Sequence, residues 1–133
     1  MLKDFKFHHV GYAVKDIDKA VRMYKEMGFE IGETMIDPIQ NTKICFAHKD
    51  GFPLIEFVAP VDEKSPINKT LEKSGNTPYH CCYEVENMEQ ALEDLKPYRF
   101  IKLFNPVPAV AIDNHRICYL FNRDNGLIEL VEQ

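Results

Sequence analysis

Polar residues give way after Lys6 to a run without charge through Val14, a stretch rich in aromatic and β-branched residues that predicts a strand. Asp16 then stands as an N-cap for a helix over Ile17 to Met27, with Ala20, Val21, Tyr24 and Met27 as its buried stripe and Gly28 as its stop. The same plan returns later. Tyr79 to Val85 reads as a strand, Asn87 caps a helix carrying Met88, Ala91, Leu92 and Leu95, and Pro97 ends it. Three extended runs follow each helix: near Glu30 to Met35, Lys43 to His48 and Leu54 to Val58, then near Phe100 to Leu103, Arg116 to Phe121 and Leu127 to Glu132. Between the halves, Ser65 with Pro66 at the first helical position predicts a short linker helix. Ile67 and Leu71 dock its one apolar face, and Gly75 closes it.

Each half is therefore a βαβββ module, and the residues themselves repeat. Asn41 to Pro60 lies without a gap on Asn114 to Gln133, agreeing at Asn41/Asn114, Ile44/Ile117, Cys45/Cys118, Leu54/Leu127, Ile55/Ile128, Glu56/Glu129 and Val58/Val131. A second alignment sets His9, Tyr12, Val14, Ala20 and Lys25 on His80, Tyr83, Val85, Ala91 and Lys96. Each half opens with a histidine and closes with a glutamate inside an apolar run. The expected class is α+β, one domain over residues 1–133, with a first module to about residue 62, a linker helix over about 63–77 and a second module from about 78. A half of about 65 residues buries too little surface to be robust alone.

Composition narrows the function classes. A net charge of -5 provides no basic field for nucleic acid or an acidic membrane surface, so neither is an expected partner. No run approaches the roughly 20 apolar residues that cross a bilayer, and MLKDFKFHHV lacks the apolar core of a signal peptide, which points to the cytoplasm. Four cysteines without CxxC spacing read as free thiols: Cys45 and Cys118 at repeat-equivalent positions, Cys81 and Cys82 on opposite faces of one strand.

Strand alternation decides which side chains share a face. With His9 on one side go Gly11 and Ala13, while Val10, Tyr12 and Val14 face the helix. His80, Cys82 and Glu84 form the equivalent set, and Leu54, Glu56 and Val58 match Leu127, Glu129 and Val131. A glutamate flanked by Leu, Ile, Phe and Val is costly to bury unless a cation or a hydrogen-bond donor offsets its charge. Two such residues, each paired with an equivalent histidine, suggest a site for a divalent metal such as Zn, Ni, Co, Fe or Mn, held by His9, Glu56, His80 and Glu129.

His9-Val-Gly-Tyr-Ala-Val, Leu54-Ile-Glu-Phe-Val-Ala-Pro, the linker Ser65-Pro-Ile, Tyr79-His-Cys-Cys-Tyr-Glu-Val and the ending Gly126-Leu-Ile-Glu-Leu-Val-Glu resemble the vicinal oxygen chelate superfamily, in its methylmalonyl-CoA epimerase and glyoxalase I-like branch. The resemblance implies two βαβββ modules forming a cupped mixed sheet with helices on its outer face, around a divalent metal at His9, Glu56, His80 and Glu129. It implies chelation of adjacent substrate oxygens and an enolate-like intermediate, with an acyl thioester or a glutathione adduct as substrate and a homodimer as a possible assembly. Glu129 and Glu56 are then candidate bases as well as ligands. An acyl-CoA epimerase or isomerase leads. A glyoxalase I-type lactoylglutathione lyase and a non-catalytic, antibiotic-binding protein are the alternatives, and a dioxygenase site of two histidines and one glutamate leaves Glu56 unexplained.

Two departures stand out. Ile44, with Lys43 beside it, occupies the position where the epimerases resembled here carry a further glutamate, and an isoleucine takes no proton. By alternation, His115, Ile117 and Tyr119 face one side of the equivalent strand, which makes His115 and Tyr119 candidate acids or bases. The stretch Asn105 to Asp113 reads as an apolar, proline-stiffened loop and suggests a different substrate surface. The exposed Lys69 and Lys73 are candidates to meet CoA phosphates.

Overall fold

The computed structural model describes residues 2–133, and the chain divides into two compact units, one of residues 9–79 and one of residues 80–133 with the N-terminal residues through His8. The first comprises most of β1 (Lys6–Ala13), then α1 (Ile17–Glu26), β2 (Glu30–Ile31), β3 (Met35–Asp37), β4 (Thr42–His48), β5 (Ile55–Pro60) and α2 (Ile67–Ser74). Its strands run in the order β2-β4-β5-β1, with β3 also on β4; β1 and β5 are parallel and the remaining pairs antiparallel. The second contains most of β6 (Thr77–Val85), then α3 (Met88–Leu95), β7 (Ile101–Lys102), β8 (Val107–Ala109), β9 (His115–Asn122) and β10 (Gly126–Glu132). The order β6-β10-β9-β7 repeats the first, again with one parallel pair, β6 with β10, and β8 added on β9. The class is α+β, as the alternating pattern predicts.

The helices form where their caps allow. Asp16, in extended backbone, accepts from the Lys19 amide at 3.1 Å and starts α1, and Asn87 does the same for Gln90 at 2.9 Å and starts α3. In α1, Ile17 and Val21 are buried, with Ala20 and Tyr24 beside them, on a core of Val14, Phe29, Cys45, Ala47, Ile55, Phe57 and Ala59. Met27, expected in that stripe, is 42% exposed, because the helix stops at Glu26 and its periodicity does not reach the capping residue. In the second unit Met88, Ala91 and Leu95 pack on Val85, Cys118, Leu120, Ile128 and Leu130.

Three expectations change. The run Glu30 to Met35 is two short strands rather than one, interrupted where the Gly32 amide turns to the Phe46 carbonyl at 2.8 Å. The apolar stretch after Asn105 is not all loop. Val107 and Ala109 pair with Ile117 and His115, and Pro108, which has no amide to donate, sits between them on an outer strand where none is needed. Ser65 lies just outside α2, which begins at Ile67, and its hydroxyl accepts from the Val61 and Asp62 amides behind it instead of capping forward. Ile67 and Leu71 do dock, on Ala13 and Val58.

The duplication is visible in small details. Asn41 and Asn114 both adopt left-handed backbone, φ 54° and 63°, at the turn into β4 and β9, a conformation asparagine tolerates better than most residues. The buried thiols Cys45 and Cys118 both donate to a backbone carbonyl at 3.3 Å, of Gly32 and Phe104 respectively. Burial raises both, Cys118 to about 11, so they are packed neutral groups rather than nucleophiles. None of the four cysteines is in a disulfide.

One polar cluster ties the second unit together. Glu132, at the end of β10, accepts from the Met88 amide at 2.7 Å and thereby supports the start of α3, while the Arg116 guanidinium binds both Glu132 and Glu89. These hydrogen bonds hold both carboxyls below their ordinary value, Arg116 being the first cause. Stability from Glu132 is therefore present at pH above its ordinary value of 4.5 and is lost as pH falls through the lower folded value. Glu132→Ala is expected to lower the unfolding free energy in urea by about 1 kcal/mol at pH 7. The difference from the parent should shrink steadily below pH 4.5; a gap independent of pH would contradict this account.

Candidate functional site

The parallel pair in each unit carries one histidine and one glutamate. In residues 9–79, Gly11 of β1 is paired with Glu56 of β5, which sets His9 one row earlier on the same face. His9 is fully buried and Glu56 is 3% exposed, with Nε2 and Oε1 at 3.4 Å. In the other unit Cys82 of β6 is paired with Glu129 of β10, and His80 Nε2 stands 3.1 Å from Glu129 Oε1, both side chains again buried. The two pairs share one register.

On its other side each glutamate faces an aromatic residue, Phe46 across from Glu56 and Tyr119 across from Glu129. Phe46 meets His9 edge to face at 5.5 Å and 80°, and Tyr119 meets His80 at 5.2 Å and 88°. These contacts fix the plane of each imidazole by packing. Phe46 was not among the residues singled out from sequence, although the repeat that aligns Glu56 with Glu129 also aligns it with Tyr119. Tyr119 additionally packs on Phe104 at 5.8 Å.

The remaining candidates lie elsewhere on their strands. His115 is exposed, with Nδ1 2.9 Å from the Glu132 carbonyl oxygen. It precedes Tyr119 by four positions on β9, roughly 13 Å along the strand. Ile44 is buried opposite Val58, on the face of Glu56 and one row away, while Lys43 points outward and is exposed.

Two carboxylates and two imidazoles, buried in apolar strands, form a donor set suited to a borderline divalent cation. The spacing within each pair fits as well. Ligand atoms about 2.1 Å from one ion stand roughly 3.0 Å apart at the corners of an octahedron and roughly 3.4 Å apart in a tetrahedron. The observed 3.1 and 3.4 Å lie in that range. A protonated imidazole beside each carboxylate produces a similar distance, but a buried ion pair repays little of its desolvation.

Residues 8–119 match the family model of the Glyoxalase/Bleomycin resistance protein/Dioxygenase superfamily. The chain belongs to this superfamily. A mitochondrial methylmalonyl-CoA epimerase of Bos taurus is 30% identical over 129 residues, 94% of this chain and 73% of that one. An ethylmalonyl-CoA/methylmalonyl-CoA epimerase of Cereibacter sphaeroides is 30% identical over 131 residues, 96% of this chain and 97% of that one. Among solved structures of the superfamily, a methylmalonyl-CoA epimerase from Mycobacterium tuberculosis superposes with a TM-score of 0.83 at 28% identity, covering 96% of this chain and 87% of the other. Superfamily members use divalent metals, which agrees with the donors found here. No helix among the described residues is long and apolar enough to cross a membrane.

If the His80–Glu129 pair serves a cation rather than the fold, its removal should cost the metal-free protein nothing. Replacing both together by leucine is expected to leave unfolding in urea and EDTA unchanged or to raise its free energy by about 1–3 kcal/mol. A fall of more than about 2 kcal/mol would mark the pair as a structural ion pair.

Proposed function

We propose that the chain is a metal-dependent acyl-CoA epimerase or isomerase, in which His9, Glu56, His80 and Glu129 jointly hold one divalent cation. The observation that carries this is the duplicated buried His–Glu pair, in a chain whose relatives at 30% identity are methylmalonyl-CoA epimerases. Zn, Ni, Co, Fe and Mn all suit two imidazoles and two carboxylates. When bound, the cation supplies Lewis-acid stabilisation of the negative charge that develops on the thioester oxygen as the α-proton leaves.

The protein's own groups divide the remaining work. Phe46 and Tyr119 pack nearly perpendicular to the rings of His9 and His80 and restrain the direction of their nitrogens. Glu129 and Glu56 are the groups that take and return the proton, since each places a carboxylate on the ligand face of its unit, beside the histidine that would share the cation. Ile44 contributes an apolar wall to the Glu56 row, leaving proton transfer to the two glutamates. Tyr119 is assigned a positioning role toward His80, and the exposed His115 is assigned no proton transfer. The buried rows keep bulk water from the carbanion.

The test is proton exchange at the α-carbon of methylmalonyl-CoA in deuterated water, with elemental analysis of protein purified without chelator. Exchange should depend on bound metal, and Glu129→Gln or Glu56→Gln should lower kcat by a factor of about 10² or more while most of the metal is retained. Equal loss of metal and exchange would reduce the glutamate to a ligand. Turnover of methylglyoxal with glutathione in place of exchange would make the protein a lyase, and tight ligand binding without either reaction would make it a binding protein.

A further inference from the structure

The two units copy each other closely at the histidine and glutamate, and they diverge one row further out on the same face. In the second unit, Tyr119 is paired with Glu129, and the next row on that face pairs Phe121 with Leu127 on one side and with Ile101 on the other. The Leu103 amide donates to the Tyr119 carbonyl at 2.9 Å, so Leu103 continues the line from Ile101 toward the Tyr119 row. Ile101, Leu103 and Phe121 are 66%, 54% and 44% exposed.

In the first unit the same register holds other residues. The Gly32 amide donates to the Phe46 carbonyl as Leu103 does to Tyr119, and Glu30 pairs with His48 as Ile101 does with Phe121. Glu30, Gly32 and His48 thus stand where the second unit has Ile101, Leu103 and Phe121. Packing within a unit does not require the apolar set, because the same strand geometry is built without it. Three large apolar side chains left in water beside a buried ligand row call for an occupant.

We propose that Ile101, Leu103 and Phe121 form an acyl subsite, which receives an apolar α-substituent larger than methyl on a CoA thioester. This deepens the reading above and rests on it. The continuity of the strip with the Glu129 row favours substrate over a protein partner: rows on one face of a strand are about 6.6 Å apart, the reach of a short alkyl chain from a carbon held at the carboxylate. The substrate class is therefore a 2-alkyl- or 2-arylalkyl-substituted acyl thioester, with the methyl compound as its smallest member.

Calorimetric affinities for CoA thioesters bearing methyl, ethyl, butyl and benzyl groups at the α-carbon provide the test, using the metal-loaded protein. Affinity is expected to rise by roughly two- to fourfold for each methylene added, and Phe121→Ser or Ile101→Thr should flatten that rise, with circular dichroism confirming the fold. Both positions are exposed, so the variants are expected to fold. A series with equal affinities throughout, or a slope that survives both substitutions, overturns the subsite. Phe121→Ser altering self-association in sedimentation while the alkyl preference stays would also overturn it, making the strip an interface between copies. Because binding is read directly, the result is independent of α-proton exchange: a steep series without exchange refutes the epimerase reading and leaves the subsite standing.

Discussion

A carboxylate buried in an apolar strand, with an imidazole nitrogen 3.1–3.4 Å away, is the constraint on which each unit is built. Taking a charged carboxylate out of water costs several kcal/mol, and one neighbouring imidazole repays only part of it. The rest of each unit can be read as support: a parallel strand pair to set histidine beside glutamate, an aromatic edge to hold the ring, and a helix on the opposite face to keep the strands in place.

Duplication explains why the support is so regular, and its breaks locate specialisation. Asn41 and Asn114 turn the chain in the same left-handed conformation, and Cys45 and Cys118 bind their carbonyls at the same distance. These are architectural positions. Gly11 against Cys82, Phe46 against Tyr119, and Glu30 with His48 against Ile101 with Phe121 are places where the ligand faces differ. A phenol packs on one imidazole and a phenyl on the other, so the two pairs are chemically unequal.

Much of this was legible in the residues because the determinants are local. Strand alternation places His9 with Gly11 and Ala13, and the observed rows follow it; Asp16 and Asn87 cap the helices they precede. Boundaries were less legible. Met27 completes an apolar stripe on a helical wheel, yet it is exposed because the chain leaves the helix before reaching it. Val107 to Ala109 reads as loop beside two prolines, yet pairing with β9 makes it a strand, since Pro108 needs no donor at an outer position. Ser65 carries a capping side chain but uses it on the turn behind.

The sequence by itself determined the repeat, the α+β class and the identity of the buried donors, because each depends on periodicity and on residue chemistry that no packing can change. Tertiary structure alone decided how far each donor stands from its partner, that Phe46 and Tyr119 pack on the imidazoles, and that His115 is exposed beside the Glu132 carbonyl. It also decided that Ile101 and Phe121 lie side by side in the row next to Glu129. The physical reason is register: alternation fixes the face a side chain takes, but only pairing with a neighbouring strand fixes which side chains share a row.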